Sequence, residues 1–138
     1  MKPHVGAVIG AGIVGTILAN AACSPAVDAL RARRDKEEAL VSGSVGPASA
    51  CVADAAERAG ARILETKHDI ELGITELAVS FPKAPSGGTE FNAWYEFSPR
   101  DGRSARVVHT FDAAVPDRDA ARQRALGPLA TCGAGTVR

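Results

Sequence analysis

Neither sign of charge is in surplus in this chain, and aromatic residues are scarce. Its 138 residues hold 16 lysines and arginines against 16 aspartates and glutamates, so no strongly acidic or basic partner is implied. Nucleic-acid binding would need a one-sided basic face. Here the basic cluster Arg31, Arg33, Arg34 and Lys36 is interleaved with Asp35, Glu37 and Glu38, a mixed run that suits a solvated helix or tether, and no nucleic-acid partner is expected. Only one tryptophan, one tyrosine and four phenylalanines occur, all between Phe81 and Phe111, which places the centre of the core in that span.

The short catalytic signatures are missing as well. No nucleophile elbow, H-E-x-x-H, C-x-x-C or Walker loop occurs. The three histidines, His4, His68 and His109, are far apart in sequence, and a closed zinc site takes four ligands. His68 beside Asp69 and His109 on an apolar strand face read as hydrogen-bonded rim or core residues. The expectation is no catalytic residue, no metal and no cofactor.

What the chain does have is a distinctive start. After Lys2, residues 5–22 carry no charge, and Ala19-Asn20-Ala21 supplies the small-x-small pattern of a cleavage site. A positive start, an apolar run and small residues before a cut make a signal peptide. With Ala21 and Ala22 before it, Cys23 resembles the lipid-carrying cysteine of bacterial exported lipoproteins; Asn20 stands where that class usually has leucine. The resemblance covers the leader alone. It implies a signal peptide over 1–22, acylation of Cys23, and, with Ser24 next, sorting to the outer membrane. Cleavage after Ala21 instead would release a soluble periplasmic or secreted protein beginning at Ala22.

Two other readings of the same segment exist. Gly10-Ala11-Gly12-Ile13-Val14-Gly15 after Ala7-Val8-Ile9 resembles the dinucleotide-binding turn, which would make Gly10, Gly12 and Gly15 cofactor-binding residues of a redox enzyme. That turn needs a second strand ending in an acid roughly 20 residues on. The stretch from Leu30 to Glu38 offers acids without a strand, and Pro25 interrupts the helix that should follow the glycines. The third reading is an uncleaved anchor, favoured by the nearby basic cluster, although the run is short and glycine-rich beside the roughly 20 apolar residues a spanning helix takes.

Cysteine parity bears on the choice. If Cys23 carries lipid, Cys51 and Cys132 remain as an even pair, and a disulfide between them would close a loop of about 80 residues. The alternatives are separate buried thiols, or a thiol enzyme with Cys51 as a thiolate near a helix start.

Residues 23–46 read as a tether or exposed helix, with Ser24 as cap and Ala26 to Val41 as its body, followed by a Ser42 to Pro47 linker. Residues 47–138 then form a single α+β domain. A helix starts at Pro47, carries Cys51, Val52, Ala55 and Ala59, and stops at Gly60. Leu64, Thr66, His68, Ile70 and Leu72 alternate with charged residues, and beyond a turn at Gly73 Leu77, Val79 and Phe81 alternate with Glu76 and Ser80. Pro82 to Gly88 is a flexible connection.

Two more strands, Thr89 to Ser98 and Arg103 to Asp112, close on a three-residue loop with Gly102 left-handed. This register pairs Phe97 with Ala105, Tyr95 with Val107, Ala93 with His109, Phe91 with Phe111 and Glu96 with Arg106. A last helix runs from Asp117 through Ala121 and Ala125 to Gly127-Pro128. The architecture expected is a small antiparallel sheet of about four strands flanked by two helices, in the order α-β-β-β-β-α.

Trp94 is the candidate interaction residue, because Asn92, Glu96 and Arg106 beside it are polar and an exposed aromatic there would anchor a partner. The functional expectation is an exported, non-enzymatic domain that binds a protein or envelope component through the sheet or the Pro82 to Gly88 loop. It would touch membrane only through lipid on Cys23.

Overall fold

A computed structural model of the chain describes residues 24–85, 87–112, 114–133 and 135–136. Residues 1–23, with Gly10, Gly12, Gly15 and Cys23, lie outside them. The described fold is α+β, and its middle is the aromatic-rich stretch. Strands β3 (Ile74–Phe81), β4 (Phe91–Pro99) and β5 (Ser104–Phe111) form an antiparallel centre. Strand β2 (Arg62–Asp69) adds beside β3, while β1 (Glu37–Ser42) lies between β5 and the two-residue β6 (Gly135–Thr136). The sheet order is β2-β3-β4-β5-β1-β6.

Period-two alternation sends Leu77, Val79, Phe81, Phe91, Ala93, Tyr95, Phe97, Ala105 and Val107 to one face, where they form the main core. Helices α2 (Val45–Arg58) and α3 (Arg118–Thr131) cover that face. Each presents a buried stripe at i, i+4, i+7 and i+8, namely Ala48, Val52, Ala55 and Ala56 on α2, and Ala121, Ala125, Pro128 and Leu129 on α3. These residues are mostly small, so both helix backbones sit close above the large aromatics of the strands. Cys51 and Cys132 join the two helices in a disulfide, with Cα atoms 6.0 Å apart.

The helix expected to stop at Gly127-Pro128 continues to Thr131. Proline inside a helix costs about 3 kcal/mol, and here burial outweighs it. Leu129 is completely buried, and the Thr131 hydroxyl donates to the Gly127 carbonyl at 3.0 Å. The Tyr95 hydroxyl donates to the Ala125 carbonyl at 2.6 Å, tying α3 to the sheet centre.

The segment expected as a tether belongs to the fold. Helix α1 (Pro25–Arg31) starts with proline at its first position and lays Val27 and Leu30 on the second face of the sheet, against Trp94 and Ala78. After it, β1 turns Ala39 and Val41 into the main core and pairs with β5, Ala39 facing Val107 and Val41 facing Ala105. Two inward residues are too short an alternation to identify in a charged stretch. Their partner strand lies more than sixty residues away, as the Glu38 to Arg106 contact shows.

Further expectations are corrected in β2 and in the β4–β5 hairpin. In β2 the register shifts between Ile63 and Glu65, so the expected alternation breaks there: Leu64 packs beside Trp94, whereas Thr66 stands opposite Leu77 of the main core, as Ile63 does opposite Val79. Ile70 and Leu72 do not continue an apolar face; they stand in the turn before Gly73, 93% and 64% exposed. The β4–β5 hairpin keeps the expected faces but is shifted by two residues, pairing Phe97 with Val107, Tyr95 with His109 and Ala93 with Phe111. A slip of two preserves inside and outside, which is why the hydrophobic pattern does not detect it. The turn is shaped by Asp101, whose carboxylate accepts from the Arg103 and Ser104 N–H groups, and Gly102 is not left-handed.

Opening the bridge, by reduction or by Cys51→Ala with Cys132→Ala, is expected to cost roughly 4 kcal/mol, the chain-entropy value for a loop of this length. Urea unfolding with and without reductant measures it; an unchanged midpoint would show that the bridge contributes nothing.

Candidate functional site

The proposed interaction face turns out to be covered. Trp94 is only 2% exposed, because α1 packs over it. Its indole N–H donates to the Glu76 carboxylate at 3.1 Å, and the Lys36 ammonium sits 4.9 Å from its ring centre. Arg31 fixes the cover in place: its guanidinium reaches Glu76 at 2.7 Å, Asp28 at 2.7 Å and Glu65 at 3.1 Å. The Glu76 hydrogen bond above all, with Glu65 adding to it, holds the Arg31 pKa above its usual range.

The other three candidates are dispersed. Asn92 donates its backbone N–H to Asp112 at 2.7 Å. Glu96 stands opposite Val108 and not Arg106, and Arg106 pairs with Glu38 on β1. The Glu96–Arg106 pair is lost to the two-residue register difference and to the arrival of β1 beside β5. Trp94, Asn92, Glu96 and Arg106 therefore do not make one exposed patch.

The histidines are separate as well. His68 on β2 shares a 3.0 Å hydrogen bond with the Thr75 hydroxyl. His109 is 3% exposed on the core face, stacked against Tyr95 at 6.2 Å. Burial pushes its imidazole below the ordinary value, with the Glu37 carboxylate pulling upward and the Arg122 guanidinium adding to the fall. Arg122 and Glu37 face each other at 2.6 Å, which holds the Glu37 pKa below the usual carboxylate range. Among the described residues no group of three or more histidine, cysteine or acidic side chains is placed to hold a metal.

Cysteine chemistry is equally restricted. Cys51 lies inside α2 with its sulfur bonded to Cys132, so no free thiolate stands at that helix.

Open space gathers at one end of the sheet, where the β3–β4 loop, the β5–α3 connection and α1 meet. The largest cleft there, about 720 Å³, lies between the β3–β4 loop and the start of α3. Its apolar lining includes Phe91, Val115, Pro116 and Ala121, and its cations are Lys83 and Arg124. The Arg124 guanidinium lies 5.5 Å from the ring centres of both Phe81 and Phe91, which are themselves stacked at 5.0 Å. Asp117 also lines the cleft, with its carboxylate capping α3 through the Ala120 N–H at 3.1 Å. A smaller cleft of about 460 Å³ adjoins it and shares Thr89, Val115 and Pro116.

Lys83 lies in the loop expected to bind, whereas the place of Arg124 in the cleft is not apparent from the sequence pattern. The available signal was Arg124 itself: three residues after Ala121, it places a charge beside the buried stripe of α3. Comparison with protein-family models, curated proteins and solved structures finds no match to this chain.

Two measurements test this geometry. The single tryptophan is expected to emit at short wavelength and to resist acrylamide, and Trp94→Ala to destabilise the domain by about 3–5 kcal/mol. Red-shifted, freely quenched emission would mean that α1 does not cover it. For His109, the unfolded chain binds the imidazole proton at higher pH than the folded one. Its contribution is therefore complete above about pH 6.5 and is lost as pH falls from there toward the folded value. His109→Gln should flatten that part of the stability profile; a decline of equal size in the variant would remove His109 as its cause.

Proposed function

We propose that this chain is an exported, non-enzymatic binding domain, held at the envelope by lipid on Cys23 or released into the periplasm, whose partner is a protein or envelope component. The observation that carries the reading is the Cys51–Cys132 bridge, which suits an oxidising compartment and leaves Cys23 as the one cysteine outside it. An even pair plus a single cysteine at a small-residue boundary is the parity expected of a cleaved, acylated N-terminus.

The site of recognition is better placed at the β3–β4 loop than at the sheet face around Trp94. That face carries α1, whereas the loop borders the largest cleft. The basic cluster that would favour an uncleaved anchor also has a use within the fold: Arg31 and Arg33 are engaged with Asp28, Glu65, Glu76 and Asp35.

The anchoring has a geometric corollary. Helix α1 begins at Pro25, two residues after Cys23, so a lipid on Cys23 would hold the domain directly against the bilayer with no spacer. Ser24 borders the same end of the sheet, near Arg62, Asn92 and Asp112, and that end would face the leaflet.

Mass spectrometry of the protein's N-terminus is the test. A diacylglyceryl-modified Cys23 or a free Ala22 is the expected result. A protein retaining Met1 would overturn the export reading.

A further inference from the structure

We propose that the cleft between the β3–β4 loop and α3 binds an amphiphilic anion, a carboxylate or phosphate head on a hydrocarbon body, with Arg124 and Lys83 taking the head. The inference rests on the binding-domain reading for the site it uses and is independent of the compartment. Arg124 sets it apart from the other cations. Among the described residues the half-buried arginines Arg31 and Arg33 are each bonded to carboxylates. Arg124, also half-buried, has the Phe81 and Phe91 rings beneath it and no ion pair among the described residues.

Its guanidinium is thereby seated over two aromatic rings, with no carboxylate among the described residues to take its N–H groups. A guanidinium so placed is matched by a carboxylate or phosphate, whose paired oxygens accept two parallel N–H bonds. Lys83 lines the same cleft from the opposing loop, also without an ion pair among the described residues. Asp117 brings the only opposing charge among the described lining residues, and its carboxylate caps the helix. The charge left over at the cleft is positive.

The body of the ligand follows from the walls. Phe91, Val115, Pro116, Ala120 and Ala121 offer hydrocarbon on both sides, and about 720 Å³ falls within the size range of small-molecule pockets. A bare inorganic anion would leave that surface wet, and a neutral hydrocarbon would leave Arg124 without a counter-charge. Only a molecule with both parts uses the whole site.

The probe is cis-parinarate, a fluorescent fatty carboxylate, added to the purified protein, with palmitate and hexadecanol as competitors. Saturable fluorescence enhancement is expected, with palmitate competing at least about tenfold better than the neutral alcohol, as a charge-assisted contact implies. Arg124→Ala is expected to weaken binding about tenfold and Lys83→Ala by less. Should Arg124→Ala fail to fold, Ala120→Trp fills the cleft from an exposed helix position and is expected to abolish binding with the circular dichroism unchanged.

Sedimentation with phosphatidylglycerol vesicles, lost in Arg124→Ala, would identify a leaflet lipid as the source of the head; parinarate binding without it identifies a free acid. Absence of parinarate binding, equal competition by hexadecanol, or binding untouched by Ala120→Trp would overturn the assignment. A protein that keeps Met1 and still binds parinarate would sink the export reading and leave this one standing.

Discussion

Trp94 and Tyr95 are neighbours on β4, point to opposite faces, and are both buried. That single constraint organises the molecule, because a strand with bulky aromatics on both sides must be covered on both sides. Helices α2 and α3 cover the Tyr95 face, and α1 is drawn back from the N-terminal side to cover the other. The three-layer form follows from two consecutive side chains in the middle of the sheet. With so few aromatics in the chain, there is no second place where a core of this size could form.

Much of this arrangement was legible in local pattern. The four central strands, the two helices on the main core and the α+β class follow from alternation and capping residues, and Cys51 and Cys132 meet where parity pairs them. What escaped was decided at a distance. Ala39 and Val41 look like two apolar residues in a charged run until β5 lies beside them. The hairpin register slipped by two because residues 93, 95 and 97 face inward in either register, and only the Asp101 turn distinguishes them. Trp94 reads as exposed from polar neighbours, since nothing local announces that Val27 and Leu30 will return to it. Arg124 escaped for the opposite reason: an arginine on a helix is ordinary until two phenylalanines are found under it.

Charge does the positional work that sequence pattern leaves undone. The stretch from Asp28 to Glu38 is fastened to distant elements through Arg31 with Glu65 and Glu76, Glu37 with Arg122, and Glu38 with Arg106. An exposed pair contributes little, typically about 0.2–1 kcal/mol, and several in one segment select a seat for α1 and β1 more than they hold the core together. A chain with no net charge can thus be densely paired over one region and still leave Arg124 and Lys83 at another without an ion pair among the described residues.

The position of β1 between β5 and β6 imposes an order in time. Its neighbours are the fifth and sixth strands, so its backbone waits for nearly the whole chain: Ala39 pairs with both Val107 and Thr136. The Ser42 N–H likewise bonds to the Cys132 carbonyl. The adjacent Gly133 runs so near that a Cβ there would lie 2.7 Å from the Ser42 hydroxyl. Loop closure over such separations is slow compared with hairpin formation. The central hairpins close over short separations, whereas β1 completes its pairing only when residues as distant as Val107 and Thr136 have come to it.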